Sequence, residues 1–184
     1  MVRRFRPRRI VEVGSGHSTR FFARAAADAR CGTRITAIDP APRATLAGLE
    51  IDLLRERVQQ AGKAPFAALS AGDFLAIDSS HVLAPGSDVE FLLRRVLPTV
   101  PAGIHVHFHD IFLPDDYPEA WEWRRYNEQS GVADLLAGGD YVVEFASAWL
   151  VSRRTALLAN GVLSRLPLVP GALESSLWLR KVRA

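Results

Sequence analysis

With 184 residues, 48 % of them apolar and 23 % charged, the chain has the make-up of one globular domain that buries roughly 70 % of its unfolded surface. Disordered and fibrous classes are excluded by that balance. The net charge of +3 and pI near 9.5 do not by themselves point to nucleic acid, because five of the 23 basic residues crowd into Arg3 to Arg9.

Residues 1–8 read as a basic, solvated arm and residues 9–184 as one domain. No aromatic and basic interleaving accompanies the arm, which speaks against nucleic-acid binding. The arm leads straight into a strand with no helix ahead of it, so a leading segment that longer relatives carry is expected to be missing. That short N-terminus leaves a homodimer or an incomplete cap open. IVEVGSG is too polar and too short for a signal-peptide core or a membrane span. Cys31 is the one cysteine, so there is no internal disulfide, and no Cys/His spacing resembles a zinc site. The expectation is a cytoplasmic protein with no membrane contact.

Arg8 to Val13 is a short β-branched run that ends in Gly-Ser-Gly, and Ser18 to Arg30 then carries Phe21, Phe22, Ala25, Ala26 and Ala29 at helical spacing. Cys31-Gly32 stops the helix, and Thr33 to Ile38 is a second strand ending at Asp39-Pro40. A helix around Ala44 to Leu54, a short strand near Val58 and a turn at Ala64-Pro65 are expected next. Asp73 to Ile77 is a buried strand ending at Asp78. Ser87 to Glu90 forms a capping box for a helix with the stripe Val89, Leu92, Leu93 and Val96, closed by Pro98. Gly103 to Phe108 is a strand ending at His109-Asp110, LPDDYP a loop, and Glu119 to Leu136 a helix stopped by Gly138-Gly139. Tyr141 to Val151 and Ser176 to Val182 read as closing strands, joined through Leu166 to Pro170. Strands alternating with helices imply a parallel sheet covered on both faces, with an antiparallel addition at the end.

Gly14 lets the chain turn off strand 1, and Gly16 lets backbone approach a ligand without a Cβ in the way. The next helix aims its N-terminal amides at the same place, beside the carboxyl ends of the strands. A dinucleotide fingerprint needs a third glycine where Thr19 stands, and no P-loop lysine follows. Glu12 puts a carboxylate near the loop, which suits a sulfonium or an amino-acid ammonium better than a phosphate. Asp39 at the end of strand 2 is placed to accept from both ribose hydroxyls. These residues favour S-adenosylmethionine (SAM) over NAD. Expected cofactor contacts are Glu12, Gly14, Ser15 and Gly16, followed by His17, Ser18, Asp39 and Asp78.

VEVGSGHSTRFFARA, ITAIDPAPRA, GDFLAIDSSHVLAPGSDVEFL, VHFHDIFLPDDYP, the Asn127 to Gln129 segment and SLWLRK together resemble a bacterial class I SAM-dependent methyltransferase domain of the family 24 type. The resemblance runs from Arg9 onwards. It implies an α/β, Rossmann-like fold with a mainly parallel seven-stranded sheet in the order 3-2-1-4-5-7-6 and an antiparallel C-terminal strand. More distantly the chain resembles the metal-dependent macrolide-sugar O-methyltransferases and the cephalosporin-hydroxylase-type proteins. In those an Asp-x-x-His after strand 4 and an acidic pair after strand 5 hold magnesium, and the histidine is the base. The match falls on Asp78, His81, His109 and Asp110, with His109 standing where the relatives have glutamate.

Asp78 and Asp110 close strands expected to be neighbours, about 4.8 Å apart, so they can share one ion, with His109 as third ligand. Magnesium or manganese is the expected metal, and imidazole suits manganese, iron or zinc better than magnesium. The competing reading makes the two acids turn caps, and His105, His107 and His109 residues that merely alternate on one strand face. His81, on a loop three residues past Asp78, has an imidazole whose unperturbed pKa near 6.5 suits a general base. Asp78 is expected to share in catalysis. Asp115, Asp116, Tyr117, Trp121 and Trp123 form either an acceptor wall or a packed lid. The expected activity is O-methylation of a small hydroxylated acceptor, such as a sugar or natural product. Kept beside it are a NAD-dependent oxidoreductase, a SAM-binding module without turnover, and a nucleic-acid methyltransferase, which no basic reading surface supports.

Overall fold

The computed structural model describes residues 1–158, 165, 169 and 171–183. Strands β1 (Arg9–Val13), β2 (Arg34–Ile38), β3 (Asp52–Leu54), β4 (Phe74–Ile77), β5 (His105–Phe108), β6 (Tyr141–Ala146) and β7 (Leu177–Lys181) form one sheet in the order β3-β2-β1-β4-β5-β7-β6. The pairs from β3 to β5 are parallel, and β7 runs antiparallel to both β5 and β6. This is the Rossmann-like order that the sequence implies.

β4 and β5 are buried at every position, and three of their neighbours in β1 are at most 4 % exposed: Ile10, Val11 and Val13. Strands buried at every position need cover on both faces. One face packs Leu75, Ile77, Leu92, Val96, Val106 and Phe108. The other packs Ile10, Phe22, Ala26, Ile35, Phe74 and Trp178, with α2 (His17–Ala29) lying across it. Among the described residues no helix is long and apolar enough to cross a membrane.

Several local expectations give way to tertiary demands. Ala44 to Leu54 is no helix: Gly48 turns in the left-handed region (φ +79°), and Asp52–Leu54 pairs with β2 as an edge strand instead. The strand expected near Val58 is the short helix α3 (Val58–Ala61), and Ala64–Phe66 is one turn of 3₁₀ helix. Ser87 caps α4 (Asp88–Phe91) by accepting from the Glu90 amide at 3.0 Å, while Glu90 reaches back to the Gly86 amide at 2.6 Å. The stripe then continues through a π-helical turn, Leu92–Val96.

The long helix expected over Glu119 to Leu136 is two pieces, a 3₁₀ segment Glu119–Arg124 and α5 (Glu128–Ala137), parted at Arg125 with φ +55°. β6 stops at Ala146 because Ser147 and Ser176 exchange hydrogen bonds there, and Ser147–Arg153 is helix α6, with Thr155–Leu158 following as α7. The connection expected at Leu166 to Pro170 lies, apart from Val169, outside the described residues. Nor is the N-terminal segment wholly solvated. Val2–Phe5 is a helical turn, α1, with Val2 buried and the Phe5 ring 4.1 Å from that of His105.

Candidate active site

The carboxyl ends of β1, β2, β4 and β5 open onto a cavity of about 710 Å³ whose wall includes Gly14, Ser15, Asp39, Asp78, His81, His109 and Asp110. Parallel strands place it there, since their turns all gather on one side. A larger groove of about 910 Å³ lies along α2, between Arg20, Phe21 and Leu49. It has no cluster of acids and histidines at strand ends, so the smaller cavity is the candidate site.

Gly14 has φ +82°, and a Cβ there would stand 2.0 Å from the Asp78 carbonyl oxygen. Only glycine lets β1 and β4 turn away side by side. Ser15 then locks the loop to β2, donating from its amide at 2.8 Å and from its hydroxyl at 2.7 Å to one oxygen of Asp39. The other oxygen accepts from the Ala41 amide at 2.8 Å. Gly16 begins α2 in extended backbone, with nothing near an added Cβ.

Thr19 occupies the third fingerprint position for a visible reason. Its buried hydroxyl accepts from the Gly16 amide at 2.9 Å and donates to Glu12 at 2.6 Å. Glu12 is 1 % exposed and lies behind the loop rather than in the cavity wall, with Oε1 unpartnered. Burial pushes its carboxyl up to about 7, opposed by the Ser18 and Thr19 hydroxyls. His17 is exposed and turned to the groove along α2, so the structure does not bring it to the cavity, and Ser18 is not in the cavity wall either.

At the other side, strand register sets Ile77 against Phe108, so the next residues, Asp78 and His109, face each other with Oδ1 and Nδ1 3.6 Å apart. Asp110 turns back through φ +56° and is held by the Ser175 hydroxyl at 2.8 Å. His81, at φ +60° and 3 % exposed, completes the group: its Nε2 is 3.2 Å from Asp78 and 3.7 Å from Asp110. Ligand atoms of Asp78, His81 and His109 all lie within 4.8 Å of one another.

The charges are coupled. Burial alone disfavours the His81 imidazolium, yet Asp78 and Glu128 bonded to its two nitrogens raise the ring to about 10. The expectation of an unperturbed imidazole is therefore corrected: as it stands, His81 is protonated at neutral pH. Burial likewise opposes ionisation of Asp78, but the hydrogen bond from His81 and the nearby His109 hold it below the usual carboxylate range. Asp110 is lowered in the same way, against burial, by His109. His107, packed on Trp178 at 4.8 Å, is driven down to about 3 by burial. It and His105, whose Nδ1 is bonded to Glu144 at 2.6 Å, are packing residues of the strand face.

Residues that the sequence reading passes over complete the site. Glu128 bonds His81, and Arg124 and Tyr126 enter the cavity wall. Arg124 lies over the Trp121 ring at 4.1 Å with its Nε buried and unpartnered, and Tyr126 stacks on His81 at 4.6 Å. Of the proposed acceptor wall, Tyr117 and Trp121 stand behind Tyr126, while Trp123 is 76 % exposed. Asp115 is paired with Arg153 at 2.5 Å, outside the cavity. Aromatic residues beside a helix start were the one signal available for Arg124 and Tyr126; Glu128 gave none beyond its place in the Asn127 to Gln129 segment.

Residues 11–111, which span the glycine loop, β4 and His109-Asp110, match the family model described as "Methyltransferase domain". No curated protein matches the sequence. Among solved structures the chain is similar to the plantazolicin methyltransferase BpumL in complex with a triazolic desmethylPZN analog and SAH, at 14 % identity and TM-score 0.60 over 96 % of this chain and 78 % of that one. It is similar to SAH-bound methyltransferase PaMTH1 of Podospora anserina, at 16 % identity and TM-score 0.59 over 98 % and 74 %. It is also similar to cmcI-N160 with SAH, at 18 % identity and TM-score 0.53 over 99 % and 73 %. With its glycine loop, its strand order and this match, the chain belongs to the methyltransferase domain family, as a class I SAM-dependent methyltransferase.

Proposed function

We propose that the chain methylates a hydroxyl of a small acceptor, a sugar or natural product, with His81 as base and a divalent ion on Asp78, His109 and Asp110. The observation that carries this is the convergence of Asp78, His81, His109 and Asp110 on the cavity that Ser15 and Asp39 also line. The donor set fits a cation. His109 Nδ1 is buried without a hydrogen-bond partner, 3.0 Å from Asp110 and 3.6 Å from Asp78, so a ring nitrogen and two carboxylates face one point. When bound, such an ion supplies positive charge that lowers the pKa of a hydroxyl beside it and neutralises Asp78 and Asp110.

Methyl transfer needs the acceptor oxygen, the methyl carbon and the sulfur in line. The oxygen forms the new bond to carbon as the carbon–sulfur bond breaks, and the electron pair leaves on sulfur. Ser15 and Asp39 fix the nucleoside end, and Tyr126 and Arg124 border the acceptor side, so alignment is the protein's main contribution. Asp78, Glu128 and Asp110 hold His81 protonated as it stands, so it acts as base only where a bound ion neutralises Asp78 and Asp110. The acceptor proton then passes to Nε2, which faces the cavity because Nδ1 is engaged by Glu128. That the plantazolicin methyltransferase BpumL, in complex with a triazolic desmethylPZN analog and SAH, shares the fold supports a natural-product type of acceptor.

The test is mass spectrometry of the denatured protein for SAM or SAH, followed by labelled-methyl transfer to a panel of sugars and phenols with manganese or with EDTA. Retained nucleoside and metal-dependent labelling are expected. Full transfer in EDTA by protein free of metal would remove the ion from the reading.

A further inference from the structure

The segment Tyr126 to Glu128 grips one residue of the opposite loop, and that residue is His81. Glu128, the first residue of α5, is 1 % exposed, and its Oε2 lies 2.7 Å from His81 Nδ1. The backbone amides of Asn127 and Glu128 both donate to the His81 carbonyl, at 3.0 and 3.2 Å. Asn127 adds a two-sided bond to the next turn of the loop, accepting from the Leu83 amide at 2.6 Å and donating to the Leu83 carbonyl at 3.0 Å. Ser79 donates to the second Glu128 oxygen at 3.5 Å, and the Tyr126 ring rests against the imidazole.

A carboxylate at a helix start is ordinarily exposed and contributes through the helix dipole. This one is out of water, and its strongest contact is a ring nitrogen rather than an amide of its own helix. His81 also has left-handed backbone, which a non-glycine residue adopts only where its surroundings hold it. On its own loop the ring meets only Asp78, at Nε2, the nitrogen that faces the cavity; Nδ1 is held from the opposite segment. With Nδ1 free, the imidazole could flip about its Cβ–Cγ bond and present either nitrogen to the cavity.

We infer that Glu128 is the positioning residue of the site: it holds the Nδ1–H of His81 whether the ring is charged or neutral, so that the neutral ring presents its free Nε2 to the acceptor. This rests on the reading of His81 as the base and extends it by a residue that touches neither cofactor nor acceptor. The logic is that of a base oriented by a third group.

The full chain saturated with SAH is studied at neutral pH by proton–nitrogen correlation of the histidine rings, with the His81 signals identified by their loss in His81→Gln. The wild type should show a downfield Nδ1–H proton protected from exchange with water. Glu128→Ala should abolish it or speed its exchange by at least about tenfold, while SAH affinity stays within about threefold. Glu128→Gln keeps an acceptor oxygen and should restore a protected proton at higher field; Glu128→Asp, one methylene short, should not. An unchanged signal in Glu128→Ala overturns the inference. If that variant fails to fold, a protected proton in Glu128→Asp equal to the wild type overturns it. Equal loss of melting temperature in the Ala and Gln variants with no change in the signal would make Glu128 a structural acid only, which also overturns it. No acceptor enters the measurement. A chain in which His81 proves not to be the base would still show the fixed proton, so failure of the two readings is told apart.

Discussion

The two glycines of the loop should fail in opposite ways when replaced by alanine. At Gly14 the added methyl would stand 2.0 Å from the Asp78 carbonyl oxygen, 3.0 Å from its carbon, and on backbone at φ +82°. Left-handed backbone costs an L residue about 1–2 kcal/mol and overpacking adds about 1–3, so Gly14→Ala should lose about 2–5 kcal/mol. For a domain of this size that lowers the melting temperature by roughly 4 to 20 °C. At Gly16 the backbone is extended and no atom lies within 4 Å of the new Cβ. Gly16→Ala should therefore melt within about 2 °C of the wild type. Its cost appears only with ligand present, where one methyl between backbone and nucleoside should weaken SAH binding about 5- to 150-fold. Thermal unfolding and SAH calorimetry on both variants make the comparison. A Gly16→Ala protein that binds SAH like the wild type would refute the close-approach role, and a Gly14→Ala protein that melts like the wild type would refute the steric one.

Asp39→Ala removes the acceptor of Ser15 and Ala41 and, by the proposal, of two ribose hydroxyls; SAH affinity should fall at least about tenfold. Ser15→Ala serves as the control for the loop lock alone, and an Asp39→Ala protein of normal SAH affinity would exclude the ribose contact. His81→Ala should reduce labelled-methyl transfer by about 10² to 10⁴ with SAH affinity nearly intact; a drop below about fivefold contradicts a base. Glu12 gives a stability signature. Its folded pKa of about 7 lies above the ordinary carboxyl value of 4.5, so its favourable contribution is full below 4.5 and is lost as pH rises through 7. Folding should weaken by roughly 3 kcal/mol across that window, and Glu12→Gln should flatten the profile and melt higher above pH 7, as urea titrations at several pH values would show.

The strands were legible because they depend on local facts, largely apolar runs of four or five residues each ending at a glycine or an acid with helical spacing between, whereas their order in the sheet followed from the family resemblance alone. The misread segments are those where a neighbour overrules local pattern. Leu46, Leu49 and Leu53 are spaced like a helix, yet β2 needs an edge partner and takes Asp52–Leu54. Glu119 to Leu136 looks continuous in composition, but its middle must turn at Arg125 to bring Tyr126 and Glu128 onto His81. Asp39, Asp78, His109 and Asp110 could be found from sequence since each stands at a strand end. Glu128 could not, being 47 residues from the histidine it bonds.

Backbone geometry explains why these acids and histidines form a site rather than a row of turn caps. Among the described residues five non-glycine positions have positive φ, and two of them are His81 and Asp110. Each such position costs of order 1–3 kcal/mol, so it persists only where surrounding bonds over-determine it. Ser175, just ahead of β7, holds Asp110, while Asn127 and Glu128, at the start of α5, hold His81. A residue that merely caps the turn after a strand needs no left-handed backbone, because αR or extended geometry would satisfy the same amides. The two reversals carry the His81 ring and the Asp110 carboxylate back toward Asp78 and His109. Strain accepted at both positions, and held there by partners distant in sequence, is what favours the proposed reaction centre over four polar residues that merely end strands.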